Sequence, residues 1–416
     1  TGTGSGKTEC YLLPVFASLV EESAAWGASP ARSTRALWWN VRNQQRIPQR
    51  AHEIGRAKAV RALFLYPLNA LIEDQLGRIR RACDSANART WLAANRNGNR
   101  YWFGRYTGST PVSGPQTSAS KRQELKRRLK EMEDEWRRAQ LSAARSRNDE
   151  ILSYFQDPEG SEMWSRWDMQ NDPPDILITN YSMLNIMLMR GLESTIFEQT
   201  RQWLASDRTR NRFHLIVDEL HTYRGTPGTE VGYLLRALLH RLELTPDSPQ
   251  LRIVATSASM DAADPRSLEY LEQFFGRDRH SFRIIEGKKA NFPSGRSIPS
   301  ARAFCAFGRL QDAGDLDSAV ACLATDVDVN PTGTTPEQRL GDVLAQSGIL
   351  ERVRQQGATE PFTLDALASA LFGSCPDALD ATRSVIRALI SARLQRSSGD
   401  VAPLPLRVHY FFHNAG

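Results

Sequence analysis

Two adjacent carboxylates, Asp218 and Glu219, follow directly after a short apolar run at residues 215–217. The run contains β-branched residues and predicts a buried strand. In an open α/β sheet, ligands lie outside the carboxyl ends of the strands, so both side chains are predicted to face a crevice. Strands also end in acidic turn residues that have no function. The pair alone therefore leaves both interpretations open until a phosphate-binding partner is found.

A glycine-rich loop at residues 1–8 is such a partner, because Thr-Gly-Thr-Gly-Ser-Gly-Lys-Thr leads into a helix predicted over residues 8–22. Glycines let backbone N–H groups surround a phosphate, and the amino end of the helix attracts negative charge. The lysine of such a loop reaches the β- and γ-phosphates, and the next hydroxyl binds Mg²⁺. A flexible linker is the alternative, but it does not explain the helix that follows. The predicted nucleotide-binding residues are Gly4, Ser5, Gly6, Lys7 and Thr8.

The composition limits the class of protein. A chain of 416 residues with 41% hydrophobic residues is long enough for two or three domains. Its formal net charge of +6 suits a nucleic-acid partner. The five cysteines form no C-x-x-C pair, so neither a zinc site nor a disulfide framework is indicated. The sequence contains no signal peptide or membrane-spanning run, and a cytoplasmic protein that does not bind a membrane is expected.

Further apolar runs that end in polar residues predict more strands of the same sheet. They lie at residues 62–66, 101–109, 175–184 and 251–259, and residues 282–285 are a candidate for the last strand. Helical patterns alternate with these runs, which is typical of a parallel α/β sheet with one shared ligand edge. The loop at residues 1–8 has no strand before it. We therefore expect this domain, residues 1–285, to be truncated at its amino end.

Two basic insertions interrupt this domain, near residues 31–60 and 85–170. The first combines Trp38 and Trp39 with many arginines, and two interpretations of it stay open. The segment grips a nucleic-acid strand by charge and stacking, or its tryptophans pack against the domain while its arginines are solvated. In the second insertion, residues 118–147 predict an amphipathic helix with one apolar stripe. A solvated surface helix is the preferred interpretation of it, over a DNA-tracking arm.

Residues 286–416 follow a different pattern. Helices are predicted over residues 301–324, 336–355, 364–372 and 377–394, and a short strand over residues 404–412. This order fits a small, mainly helical, winged-helix-like connecting module. The segment contains no second phosphate loop and is too short for a second nucleotide-handling domain.

The motifs in their order resemble superfamily 2 helicases of the DEAD/DEAH type. The order is GSGKT, LFLYPLNALIEDQ, YTG, ILITNYSML, VDELH and SAS, and it covers residues 1 to about 285. The extended forms VDELHTYRG and YPLNAL are most similar to the Lhr/YprA (MrfA)-like branch, which has DUF1998-type relatives and relatives in anti-phage defence. The resemblance implies a RecA-like (P-loop NTPase) domain, with a second such domain beyond residue 416.

The resemblance also implies roles for individual residues. Lys7, Asp218 and Glu219 match catalytic positions, with Thr8 and Asp218 as the Mg²⁺-binding pair and Glu219 acting on the attacking water. Three residues match positions that link hydrolysis to domain movement: His221, Ser257 and Ser259. Ser259 stands where many relatives have threonine, and Thr1 where the loop pattern has glycine. The positions that match contacts to a nucleic-acid strand are Asn69, Thr107, Gly108, Thr179, Asn180 and Tyr181.

The implied activity is that of an ATP-dependent helicase or translocase with ATP and Mg²⁺ as cofactors. DNA is the expected partner, as a single strand or a forked duplex, with RNA left open, and repair or defence proteins are further partners. Two alternatives remain: a double-strand DNA translocase that does not unwind, and a nucleotide-gated DNA-binding subunit of a defence complex. Because an ATP site of this kind is completed by a second domain, the chain alone is expected to turn over ATP poorly.

Overall fold

The computed structural model of the protein describes residues 7–30, 37–41, 45–285, 296–357, 362–396 and 399–404. The chain divides into two units, Thr1–Gly287 and Lys288–Gly416. All nine tryptophans belong to the first unit. The assignment of the units to a motor domain and a winged-helix-like module stays a prediction.

Five parallel strands form the sheet of the first unit. They are β1 Ala62–Tyr66, β2 Phe103–Tyr106, β3 Ile176–Asn180, β4 Phe213–Val217 and β5 Leu251–Ala255. Their order in the sheet is β2-β3-β1-β4-β5, and every neighbouring pair is parallel. The predicted parallel α/β sheet is therefore confirmed. Residues 282–285 form no strand, and the ring of Phe282 instead packs on that of Phe275 in the last helix of this unit.

Helices cover both faces of this sheet, which explains why β1 and β4 are buried along their whole length. Alternate residues of the strands enter two different cores, so that Leu63 and Leu65 pack on one face and Phe64 and Tyr66 on the other. The helices are α1 Lys7–Ser23, α2 Asn69–Asp84, α3 Ala86–Asn95, α4 Ala119–Ser146, α5 Arg166–Asn171, α6 Tyr181–Met189, α7 Ser194–Ser206, α8 Gly225–Arg241 and α9 Pro265–Phe275.

The tryptophans of the first insertion are buried. The indole Nε1 of Trp39 donates a hydrogen bond to Glu133 Oε2 at 2.9 Å, and its ring lies edge-on to that of Trp164. Trp38 and Trp39 pack with Leu125 and Leu129 from the apolar stripe of α4, the predicted amphipathic helix, which is confirmed. Stacking of nucleic-acid bases on these two tryptophans was therefore the wrong interpretation, because their rings are already covered by protein.

The basic residues of the same insertion are paired, and this also differs from the expected solvated arginines. Within the part of the insertion that the structure describes, these basic residues pair with carboxylates, most of which come from the segment before β3, while Glu53 belongs to the insertion itself. The pairs are Arg46–Asp168, Arg50–Glu53, Arg56–Asp175, Lys58–Asp172 and, next to the insertion, Arg61–Asp175. Arg32, Arg35 and Arg42 lie outside the described residues.

Asp175, directly before β3, is the centre of this network. Its Oδ1 accepts hydrogen bonds from Arg56 at 2.7 Å and Arg61 at 2.9 Å, while its Oδ2 accepts one from the backbone of Trp102 at 2.8 Å. Burial alone raises the pKa of a carboxyl group, but the nearby guanidinium groups hold the pKa of Asp175 below its usual value. The carboxylate therefore stays charged and joins the insertion to the amino ends of β1, β2 and β3.

The second unit is mainly helical. Its elements are α10 Ala301–Asp312, α11 Leu316–Asp326, α12 Pro336–Gln346, α13 Ile349–Gln356, α14 Leu364–Phe372, α15 Ala378–Ser391 and the antiparallel hairpin of β6 Leu394–Arg396 and β7 Gly399–Val401. The helices predicted over residues 301–324 and 336–355 are each divided in two, the first at Gly314, which has a φ of +81°. The strand predicted over residues 404–412 lies almost wholly outside the described residues. None of the described helices is long and apolar enough to cross a membrane.

Replacement of Asp175 by alanine tests the buried charge network. Asp175→Ala removes the carboxylate shared by two buried guanidinium groups and leaves Arg56 only Glu53 and Arg61 only Glu22, so we expect the free energy of unfolding to fall by about 3–5 kcal/mol. Urea denaturation followed by tryptophan fluorescence measures this change, because all tryptophans report on the first unit.

Asp134→Ala is the matched control. Asp134 also pairs with an arginine, Arg137 at 3.1 Å, but both side chains are well exposed on α4. Loss of this pair is expected to cost less than about 1 kcal/mol. Equal losses in the two variants would contradict the structural role of Asp175.

Candidate functional site

The carboxylate pair lies at the carboxyl edge of the sheet, beyond the end of β4. The backbone N–H of Asp218 donates to Leu65 O at 3.0 Å, so the chain stays in register with β1 for one residue after the strand. The Asp218 side chain is 7% exposed. The structure therefore places this carboxylate at the ligand edge predicted from the sequence, in a largely desolvated position.

Glu219 has a left-handed backbone conformation, with φ +49° and ψ +49°. This region is uncommon for residues other than glycine, so the neighbouring contacts must stabilise it. The backbone N–H of Glu219 donates to Thr256 Oγ1 at 3.2 Å, and its carbonyl accepts from Thr222 N at 2.9 Å. The two carboxylates have different neighbours although they are adjacent in sequence, since Asp218 accepts from the Thr256 hydroxyl and Glu219 lies next to His221.

Thr256 contacts both acidic residues, and the sequence analysis did not include it among the candidates. Its hydroxyl donates to Asp218 Oδ1 and accepts from the backbone N–H of Glu219. The signal was present in the strand register, because β4 and β5 pair Val217 with Ala255 and so bring the next residues together. The sequence alone does not determine that register, because it does not show which strands are neighbours in the sheet.

The residues predicted to couple hydrolysis to movement lie on the same two loops. His221 Nδ1 is 3.2 Å from Glu219 Oε2 and 3.3 Å from the backbone nitrogen of Ala258. A protonated Nδ1 donates to the carboxylate, whereas an unprotonated one accepts from Ala258, so the proton selects one contact or the other. Ser259 Oγ accepts a hydrogen bond from Arg224 at 2.7 Å, and Ser259 N donates to Ser257 Oγ at 3.2 Å.

The amino end of α1 lies close to this edge of the sheet. Gly4, Ser5, Gly6 and the Lys7 side chain lie outside the described residues. Thr8 is buried in the first turn of α1. The pKa of the nearby Tyr11 hydroxyl is raised to about 12, first by burial and then by the charge of Asp218, while a hydrogen bond with Thr8 lowers it. Thr8 and Asp218 therefore both lie close to one hydroxyl group.

An alcohol and a carboxylate are hard oxygen donors, and this donor set fits Mg²⁺. Magnesium keeps several waters and needs only one or two protein oxygens besides the phosphates of a nucleotide. No group of three or more His, Cys, Asp or Glu side chains suited to a metal occurs within the described part of the chain. The pair of Thr8 and Asp218 is consistent with a nucleotide-bound magnesium site.

The residues predicted to contact a nucleic-acid strand are divided by the structure into accessible and buried side chains. Asn69 and Asn180 join across β1 and β3, since Asn180 Nδ2 donates to Asn69 Oδ1 at 2.7 Å. Tyr181 is 41% exposed beside them. Gly108 also lies at the surface.

Thr107 and Thr179 are buried and serve the loops instead. Thr179 Oγ1 donates to Tyr106 O at 2.7 Å, and Thr107 Oγ1 bonds with Ser109 Oγ at 2.9 Å. Their side chains hold the carboxyl ends of β2 and β3 in place but do not face an open surface.

Comparisons with known proteins agree with this geometry. The DEAD/DEAH box helicase family matches residues 1–102. The Druantia protein DruE of Escherichia coli (strain UMEA 4076-1) is 30% identical over 466 aligned residues, covering 99% of this chain and 24% of that protein. The chain is thus similar to DEAD/DEAH-box helicases, over residues 1–102 for the family and over 99% of its length for DruE. The predicted resemblance to superfamily 2 helicases is therefore confirmed.

Other helicases are similar over shorter or more divergent stretches. An uncharacterized ATP-dependent helicase of Methanocaldococcus jannaschii, MJ1574, is 30% identical over 131 residues, which is 32% of this chain and 16% of that protein. A crystal structure of the DUF1998 helicase MrfA bound to DNA and AMPPNP is 19% identical, covers 79% of this chain and 34% of that chain, and has a TM-score of 0.35. The chain thus spans a quarter or less of the length of the two curated relatives.

Tyr223, four residues after Glu219, provides a test of the loop's packing. Its side chain is 3% exposed, and its hydroxyl has no hydrogen-bond partner among the residues that the structure describes. Tyr223→Phe removes an unsatisfied polar group, so we expect the free energy of unfolding to stay the same or to rise by about 1–2 kcal/mol. Urea denaturation measures it.

Tyr106→Phe is the control with the opposite expectation. The hydroxyl of Tyr106 donates to Glu193 Oε1 at 2.7 Å and accepts from Gln170 Nε2 at 2.8 Å. Its loss leaves the buried carboxylate of Glu193 without this donor and is expected to cost about 1–3 kcal/mol. A loss of stability in Tyr223→Phe as large as that in Tyr106→Phe would show that the Tyr223 hydroxyl has a partner.

Proposed function

We propose that the chain is the nucleotide-binding part of an ATP-dependent helicase or translocase that acts on DNA. The observation that supports this most directly is the arrangement of Asp218 and Glu219 around Thr256 at the carboxyl edge of the sheet. Similarity to DEAD/DEAH-box helicases supports ATP hydrolysis in general. The chain spans a quarter of the DruE relative, so the activity proposed belongs to the whole protein.

The residues divide the work of phosphoryl transfer between charge and positioning. Lys7 would contact the β- and γ-phosphates, and Thr8 and Asp218 would hold Mg²⁺. The bound metal would supply positive charge next to the phosphate oxygens. Glu219 orients the attacking water and accepts its proton. The carboxylate of Asp218 accepts from Thr256 while that of Glu219 lies next to His221, and these different surroundings support different roles for the two acids.

Coupling of hydrolysis to movement follows from the two joined loops. The loop after β4 and the loop after β5 are connected through His221 to Ala258 and through Arg224 to Ser259. A proton on His221 Nδ1 favours the contact with Glu219, and its absence favours the contact with the backbone of Ala258. His221, Ser257 and Ser259 then transmit the state of the nucleotide to the rest of the protein.

Nucleic acid binds at the same carboxyl edge, on the side of β1, β2 and β3. Asn69, Gly108, Asn180 and Tyr181 are accessible there, and they contact phosphates and sugars without reading the base sequence. Thr107 and Thr179 support these contacts from beneath. DNA is the proposed substrate because MrfA has been crystallised with DNA. The similarity to a Druantia protein favours a function within an anti-phage defence complex.

Glu219→Gln tests the catalytic assignment. The amide keeps the shape of the side chain but cannot accept a proton, so steady-state ATP turnover by the full-length protein should fall roughly 100-fold or more. Binding of a fluorescent ATP analogue should persist. Glu230→Gln, on the exposed surface of α8, is the control and should keep its turnover. Turnover by Glu219→Gln equal to that of the control would remove Glu219 from this role.

Asn69→Ala tests the strand contact. Loss of a hydrogen bond to a charged phosphate should weaken binding of a single-stranded oligodeoxynucleotide by roughly tenfold, measured by fluorescence anisotropy. Asn185→Ala, an exposed asparagine on α6, is the control and should bind as the parent does. Binding by Asn69→Ala that matches this control would place the DNA elsewhere.

A further inference from the structure

Thr256 is the residue on which the positions of both carboxylates depend, although the sequence motif directs attention to Ser257 and Ser259. We propose that Thr256 is the positioning residue of the site: its hydroxyl sets the orientation of the Asp218 carboxylate and the backbone of Glu219 at once. This inference rests on the proposed function and adds to it a residue that neither the resemblance nor the sequence analysis assigned.

The backbone of Thr256 is held on both sides. Its N–H donates to Val217 O at 3.0 Å, and its carbonyl accepts from Leu220 N at 2.7 Å. These bonds continue the β4–β5 ladder past the end of both strands. Because a β-branched side chain has few χ1 rotamers, a fixed backbone also fixes the direction of the hydroxyl. The Thr256 hydroxyl therefore has a fixed position between the loop after β4 and the loop after β5.

The hydroxyl donates its proton to Asp218 Oδ1. A hydrogen bond to one carboxylate oxygen fixes the rotation of the group about the Cβ–Cγ bond, and that rotation decides where the other oxygen faces. Groups that orient metal-binding carboxylates in this way change metal affinity when they are removed. Thr256 therefore controls how well Asp218 presents an oxygen to hydrated Mg²⁺.

The same oxygen accepts the backbone N–H of Glu219 at 3.2 Å. This bond stabilises the left-handed conformation of a residue that is not glycine. Without this hydrogen bond, the left-handed conformation of Glu219 loses a stabilising contact, and we expect its carboxylate to move relative to that of Asp218. One hydroxyl thus acts as a donor to one acidic residue and as an acceptor from the other.

The two serines of the motif make different contacts within the described residues. Ser257 Oγ accepts from Ser259 N, and Ser259 Oγ accepts from Arg224. Both bonds shape the loop after β5. The contact with Asp218 comes from the preceding residue, Thr256.

Thr256→Val tests the proposal, because valine keeps the shape and removes the hydroxyl. The measurement is a titration of residues 1–416 with Mg²⁺ in the presence of a fluorescent, non-hydrolysable ATP analogue. We expect the Mg²⁺ concentration at half-saturation to rise roughly tenfold. Binding of the analogue in EDTA should stay unchanged. Thr256→Ser restores the hydroxyl and should return the half-saturating concentration to within about threefold of the parent value.

Thr200→Val is the matched control. Thr200 is buried, donates to Ile196 O at 2.7 Å and accepts from Val60 N at 3.0 Å, so its hydroxyl also serves one donor and one acceptor role. Val60 precedes β1, at the opposite edge of the sheet from the carboxylates. Thr200→Val should lower the melting temperature and leave the Mg²⁺ dependence unchanged, which separates a loss of stability from a loss of positioning.

The outcomes are distinct. A parent protein that binds the analogue without any dependence on Mg²⁺ would reject the proposed nucleotide site itself. A dependent parent together with an unchanged Thr256→Val variant would reject only the role of Thr256. Should Thr256→Val not fold, Thr256→Ala and Thr256→Ser are compared below their melting temperatures. Equal Mg²⁺ dependence of the alanine and serine variants then overturns the proposal, and a rise in alanine alone supports it.

Discussion

The parallel register of β4 between β1 and β5 is the constraint on which the site depends. Parallel pairing brings the carboxyl ends of all three strands to one edge, and the ladder continues for one residue on each side of Asp218 through Leu65 O and Thr256 N. The carboxylate is therefore placed by backbone hydrogen bonds, before any side chain contributes. A shift of β5 by one residue would put Ala255 or Ser257 opposite Asp218: the first has no hydroxyl, and the second is not β-branched and so holds its hydroxyl less firmly.

The opposite edge of the sheet is fixed by charge. Asp175 receives two guanidinium groups and a backbone amide at the start of β3, so the basic insertion folds onto the amino ends of the strands. Buried ion pairs of this kind contribute little net stability but penalise any arrangement that separates the partners. The insertion thus defines where β1, β2 and β3 begin, while their carboxyl ends remain available for ligands. The amino edge of the sheet thus holds the insertion, and the carboxyl edge holds the residues proposed to bind ligands.

Much of this arrangement could be predicted from the sequence, because it depends on local pattern. Apolar runs placed all five strands, and apolar residues spaced by four and three placed α4, namely Leu125, Leu129, Met132, Trp136, Ala139 and Ala143. What the sequence did not predict depends on contacts between distant segments. Asp175, the shared partner of Arg56 and Arg61, lies more than a hundred residues after them, and the role of Thr256 requires the β4–β5 register. Gly314 divides a predicted helix because glycine adopts a left-handed backbone conformation without the steric cost that other residues have.

The buried network also changes what the net charge of +6 indicates. Composition counts every arginine, yet three of them, Arg50, Arg56 and Arg61, are already paired inside the first unit with three carboxylates, those of Glu22, Glu53 and Asp175. Such groups cannot release counterions from a nucleic-acid backbone, since that requires accessible positive charge. The net charge of the chain therefore overstates the positive charge that a nucleic acid can reach. The proposed contacts of Asn69 and Gly108 would rely instead on amide and backbone groups, which position a strand without adding charge.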